Sequence, residues 1–229
     1  MAGEGAEPRE KPMSLCRVSR WVRAAGLAAL LALILPLTAW STDPRLQIGV
    51  VERLQGEAEA VFGDEVRALA VQAPVYLDDK LVTRAGARML LRLADDTEST
   101  MGQNATLVVD NYVYDPAKAK GAIIVNALAG AFLFKGGKIE QQENAEAKIV
   151  TTVATLGIRG TTVWGGEIDG QYGVLVSDGE VTVTNEGGTV HLTTGLGTSI
   201  SGPDAAPGPA KRWPSEKVAR AIATVEFAP

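Results

Sequence analysis

The sequence predicts an all-β domain of short strands, arranged as a sandwich, barrel or solenoid, with a short helix at its C-terminal end. Three observations carry this prediction. Apolar and polar residues alternate with a period of two in many short runs, as half-buried strands require. Turn dipeptides separate those runs at short intervals. Glycine supplies 25 of the 229 residues, above the ordinary share of about 7%, and falls mostly at the turns, where positive φ angles are needed.

Taken in order, the first element is an apolar run, AAGLAALLALILPL at 24–37, preceded by Arg17, Arg20 and Arg23 and followed by the small residues Ala39 and Ser41. A basic segment, a short apolar segment and small residues two apart describe a secretory signal helix. The run is shorter than the roughly 20 residues a spanning helix needs, although an uncleaved anchor is the alternative. Cleavage is expected after Ser41, with Ala39 next. The polar stretch before Met13 is unusual for a signal, and a start at Met13 reads more naturally. Cys16 precedes the apolar run, so it is not placed to carry a lipoprotein anchor, and it would be lost with the signal. The expected destination is the periplasm or the exterior.

The second region, 42–201, is the β domain. Runs at 48–54 and 57–62 flank Gln55-Gly56, and the run at 89–93 stops at Asp95-Asp96. The run at 106–114 lies between Gln103-Asn104 and Asp115-Pro116. Further on, 172–177 leads into Asp178-Gly179, a dipeptide favouring a type I′ turn. The runs 180–184 and 189–193 flank a hairpin loop, Asn185-Glu186-Gly187-Gly188. The third region, 202–229, opens with a Pro/Gly linker. It closes with Val218, Ala221, Ile222 and Val225 on one face of a helix that starts near Pro214-Ser215, with Trp213 docking it.

Composition narrows the function classes. Asp and Glu number 27 against 22 Lys and Arg, for a net charge of -5, and no basic patch stands out. Nucleic acid is therefore not an expected partner, because phosphate binding needs clustered cations. One histidine and one cysteine leave almost nothing for a zinc site or a catalytic triad. Asp78-Asp79 and Asp95-Asp96-Thr97-Glu98 lack calcium-loop spacing and read as turns and solvated edges. Gly195–Ile200 and Lys135–Lys138 fall short of the dinucleotide and phosphate-loop patterns. No cofactor, no metal and no enzymatic activity are expected.

Two stretches carry a family likeness. Residues 77–110 contain Asp79-Lys80-Leu81-Val82-Thr83 and the LRLADDT segment, and residues 149–195 contain Thr155–Thr161 with its GIRGT core and the paired strands at 174–183. Together they resemble the FecR domain, over about 48–201. Asp96 stands where the family often has glycine, and Ser177-Asp178 where Leu-Glu is common. The resemblance implies an all-β, solenoid-like fold and assigns Asp79, Leu81, Thr83, Asp95, Gly157, Ile158, Arg159, Gly160, Thr161 and Gly179 to the family motif, with structural roles. Full-length regulators of that family resemble an anti-sigma segment, a membrane helix, this domain and a signalling domain. This chain reads instead as a free-standing exported module.

Individual residues point the same way. Gly157 and Gly160 are expected to turn a corner around Ile158-Arg159, where backbones approach closely. Arg159 would tie to a carboxylate such as Asp95 or Glu180, or else recognise an anionic ligand. Trp164 and Tyr172 flank a glycine-rich, mobile-looking loop at 165–170 and form a possible binding surface, or else cap the core. The functional expectation is a non-catalytic module binding a protein partner or an envelope component. The alternatives are a sensory or regulatory part acting with a separate membrane protein and, more remotely, a carbohydrate-binding or carbohydrate-active protein. Contact with the membrane would come only through the signal segment.

Overall fold

Alternation becomes strand almost everywhere it was expected. The computed structural model describes residues 45–118 and 120–228; the signal segment, its cleavage positions and the two candidate starts lie outside them. The strands are β1 (Gln47–Gln55), β2 (Ala58–Phe62), β3 (Glu65–Ala68), β4 (Pro74–Tyr76), β5 (Lys80–Thr83), β6 (Arg88–Leu93), β7 (Glu98–Met101) and β8 (Thr106–Asp115). They continue with β9 (Lys120–Ala129), β10 (Phe132–Lys135), β11 (Glu146–Thr151), β12 (Thr155–Ile168), β13 (Gln171–Asn185), β14 (Gly188–Thr193), β15 (Leu196–Ile200) and β16 (Lys211–Arg212). A single helix, α1 (Ser215–Ala223), follows.

All these strands join one sheet, in the order β3-β2-β5-β8-β9-β11-β12-β10-β7-β6-β1-β4, with β13 on the other side of β12 and β14 and β15 beyond it. The strands pair antiparallel except β9 with β11. The expected all-β fold is thus realised as one large, almost wholly antiparallel sheet. Strands β12 and β13 are long enough to serve both halves. The first half of β12 pairs with β11 and its second half with β10. One apolar core joins Leu156, Ile158, Val181 and Val183 from the first half to Val163, Val174, Phe132 and Phe134 from the second. The sheet thus folds over onto itself.

The fold-over occurs at a bulge. The β12–β13 register shifts between Arg159 and Val163, where Gly160 and Gly179 both take positive φ, 58° and 84°. Asp178-Gly179 is accordingly not a hairpin turn but an irregularity within a continuous strand. A side chain at Gly179 would strike the Gly160 carbonyl and the Thr161 backbone. Gly179→Ala should lose about 1–3 kcal/mol of stability from strain and collision, measured by urea unfolding. Gly157 has ordinary space around it and no positive φ, so the corner belongs to Gly160 and Gly179 and not to Gly157.

The second half of β12 and the first half of β13 are buried on both faces. Val163, Val174 and Val176 face the main core, while Trp164, Ile168 and Leu175 face Trp213, Ala221 and Val225. The helix covers this second face. Its N-terminal end follows Pro214, which has φ -57, a value proline presets. Asp169, at the β12–β13 turn, accepts from Arg220 at 2.7 Å and pairs with Lys217 at 3.1 Å; the hydrogen bond from Arg220, then that from Lys217, holds its carboxyl below the usual range.

Candidate functional site

The motif residues that were expected on turns and solvated edges are mostly buried. Asp79, 2% exposed, accepts from Arg45 at 2.9 Å, Arg67 at 2.7 Å and the Tyr76 N–H at 3.0 Å. Leu81 lies in the core. The Thr83 hydroxyl donates to the Gly102 carbonyl at 2.6 Å and accepts from the Ala105 N–H at 2.9 Å. Each of these ties one sheet element to the next.

Asp95 organises the centre. It sits after β6, where the tight β6–β7 turn puts Asp96 at φ 66°, and it is fully buried. Its carboxylate accepts from the Thr97 hydroxyl at 2.7 Å, the Thr97 N–H at 3.3 Å, the Tyr112 hydroxyl at 3.1 Å and the Ile139 N–H at 3.2 Å. The segment 136–140 is stapled across this turn. Gly137 donates to the Thr97 hydroxyl and Lys138 to the Asp95 carbonyl. Gly137 must be glycine, because a Cβ there would run into the Asp95 and Thr97 backbone. Lys138 then pairs with Asp96 at 2.5 Å.

The same segment reaches the second motif. Gly136 donates to the Thr161 carbonyl at 2.9 Å, and the Thr161 N–H donates to Glu140 Oε2 at 3.0 Å. Thr161 Oγ1 in turn donates to the Glu180 carbonyl at 3.0 Å and accepts from the Arg159 N–H at 2.9 Å. The two motif stretches, represented here by Asp95 and Thr161, are thereby bridged by a third, 136–140, of which sequence reading considered only Lys135–Lys138, and only as a phosphate-loop pattern that falls short. Glycines beside an isolated acid were the only local signal.

Glu140 is the unusual group. It is 7% exposed, its Oε1 has no hydrogen-bond partner, and burial pushes its carboxyl up to about 7, against the pull of the Thr161 and Gly160 N–H groups and with a push from Asp95. A carboxyl whose pKa is raised on folding stabilises the fold only while protonated. Its contribution is full below about 4.5 and is lost as pH rises toward 7. Glu140→Gln should therefore be more stable than the natural chain at pH 8, by on the order of 2–3 kcal/mol, with the gap closing near pH 4.5. Urea unfolding at the two pH values reads this directly.

Two expected placements, the Arg159 tie and the 165–170 loop, are corrected, and for Trp164 the structure decides between the two stated roles. Arg159 makes no side-chain bond to Asp95, which is enclosed, nor an ion pair with Glu180, its register partner; it lies on the outward phase of β12, opposite Leu156 and Ile158, and its side chain is exposed just before the bulge. Trp164 is wholly buried, packed edge-on against Trp213 at 6.1 Å and donating to the Thr224 hydroxyl at 3.0 Å, so it caps the core under α1. The stretch 165–170 is strand and turn, not a loose loop. Tyr172 is half-buried at a cleft of about 620 Å³ that also includes Gln103, Asn104, Thr152, Glu167 and Thr224. Among the described residues, no three His, Cys, Asp or Glu side chains come together as a metal site. No helix there is long and apolar enough to cross a membrane.

Residues 79–182 match the family model described as FecR protein. This stretch is a FecR domain. Its limits run from the Asp79 hub to β13, so the FecR domain contains the whole Asp95–Glu140–Thr161 cluster and the fold-over, while β14, β15 and α1 lie beyond it. No curated protein matches the chain. Two crystal structures, at 1.65 and 2.50 Å resolution, of a "putative anti-sigma factor" from Parabacteroides distasonis are similar to it, each with 15% sequence identity and a TM-score of 0.48. The alignment covers 61% of this chain and 62% of that one; the chain thus spans a little over three-fifths of its solved relative.

Proposed function

We propose that the protein is a non-catalytic regulatory module of the cell envelope whose FecR domain holds a protein partner. The observation that carries this reading is the division of labour within the motif. Asp79, Thr83, Asp95 and Thr161 are consumed by internal bonds, whereas Arg159, at the centre of the same motif, is exposed just before the bulge. A guanidinium offered there, with five donors in a fixed fork, suits a carboxylate on another protein. Export is supported by the basic residues and apolar run at 17–37.

Arg159→Ala should leave stability within about 0.5 kcal/mol of the natural chain, as surface changes do, and should abolish the adduct formed on crosslinking in intact cells. An unchanged set of adducts overturns the reading. A signalling receptor among those lost would assign the module to a sensory pathway. The cleft beside Tyr172 favours a second reading, a small polar ligand such as a sugar, since an aromatic ring there adjoins two amides. Its lining holds one carboxylate, Glu167, not the facing pair that glycoside hydrolysis uses.

A further inference from the structure

The sheet has four free edges among the described residues, on β3, β4, β14 and β16. Sheet edges invite pairing with other strands unless they are short, charged or interrupted by proline. Strand β3 has four residues including Glu65 and Arg67; β4 has three and begins with Pro74; β16 is Lys211-Arg212 alone, with Pro214 just after. Strand β14 differs from all of them. It has six residues, GTVHLT, without lysine, arginine, acid or proline.

Its unpaired groups can be identified. The β13–β14 hairpin closes with Asn185 opposite Gly188. The side chains of Thr184 and Thr189 meet at 3.0 Å, and those of Thr182 and His191 at 3.1 Å. Such close side chains mark the non-hydrogen-bonded positions of an antiparallel ladder. The N–H and C=O groups of Thr189, His191 and Thr193 therefore point away from β13, and all three residues are exposed.

We infer that β14 pairs antiparallel with β14 of a second copy, about a two-fold axis at His191, to give a continuous sheet across a homodimer. That register sets His191 opposite the partner copy's His191 and Thr189 opposite its Thr193, and satisfies every outward backbone group of the strand. The identity of the occupant follows from charge. With this axis the exposed Glu186 at the tip of each hairpin reaches past Thr193 to the Thr194-Gly195 turn of the other copy. Arg212 lies against Gly195 there: its Nη1 would be 3.2 Å from a side chain added at that glycine. An acidic tip meets a basic stub twice, once at each end of the joined strands, as two-fold symmetry demands.

Single-cysteine variants of the full-length chain, with Cys16→Ser removing the native thiol, test the register. Hydrogen-bonded antiparallel partners lie about 5.5 Å apart at Cα, within disulfide range. His191→Cys should oxidise to a covalent dimer, Thr189→Cys and Thr193→Cys should each fail alone, and the two co-expressed should succeed together. His191→Pro, which removes an outward N–H and no β13 bond, should abolish crosslinking between the Thr189→Cys and Thr193→Cys chains while keeping the circular dichroism spectrum. Glu186→Lys or Arg212→Glu should weaken the dimer in sedimentation, and the double exchange should restore it. Equal crosslinking at all three positions, a dimer that survives His191→Pro, an adduct to a different protein in place of the dimer, or a chain monomeric throughout the micromolar range would each overturn the pairing.

Discussion

Asp95→Ala is expected to lower stability by about 4 kcal/mol or more, the largest effect of any single substitution in the domain. The carboxylate serves four donors, from Thr97 twice, Tyr112 and Ile139, in a site with no solvent access. Each buried donor left unsatisfied costs roughly 1–3 kcal/mol, and water cannot reach all of them without opening the staple at 136–140. For a domain of this size the midpoint of thermal unfolding should fall by roughly 2–4 °C per kcal/mol. Asp95→Asn, which keeps one acceptor oxygen but turns the other into a donor, should lie between. A thermal melt of Asp95→Ala within a degree or two of the natural chain would mean that the four bonds are not what joins the two motif stretches.

Trp164→Ala comes next, with an expected loss of about 3–5 kcal/mol, the range for emptying a large aromatic site. Its consequence should be directional. The indole holds Trp213 edge-on and donates to Thr224; the other ties of the helix and tail to the sheet are peripheral, an exposed Asp169 pairing with Lys217 and Arg220, and Arg88, Arg53 and Gln55 meeting Ala223, Phe227 and Ala228. Exposed ion pairs contribute little. Removing the indole should therefore release α1 before the sheet unfolds, so the 202–210 linker should become protease-sensitive at denaturant concentrations that leave the β signal intact. Simultaneous loss of both would show that helix and sheet unfold as one unit.

The alternation of β6 was fully legible, because it buries every second residue without interruption. So were the 185–188 loop, the helix and the tryptophan that docks it. The candidate site was legible only in part. The motif residues were identified, but Asp79 and Asp95 read as solvated acids, since a lone carboxylate in a turn gives no sign of the donors that will surround it. Glu140 and Gly137 gave less still: their partners, Thr161 and Thr97, lie 21 and 40 positions away.

By itself the sequence determined that this chain forms β-strands, where most of them turn, and that a FecR-type pattern runs through them. The tertiary structure decided the phase. Continuing the alternation of Leu107 and Val109 would bury Asn111 and Val113; instead the register shift beside Asp110 puts Tyr112 inside to reach Asp95, and leaves Val113 37% exposed. In β12 the bulge at Gly160 likewise moves Thr161 inward, where the alternation of Leu156 and Ile158 would have left it outside with Arg159. A bulge inserts one residue against a partner strand, so its position is set by what lies across the ladder. A period-two pattern read along a single strand contains no record of that partner.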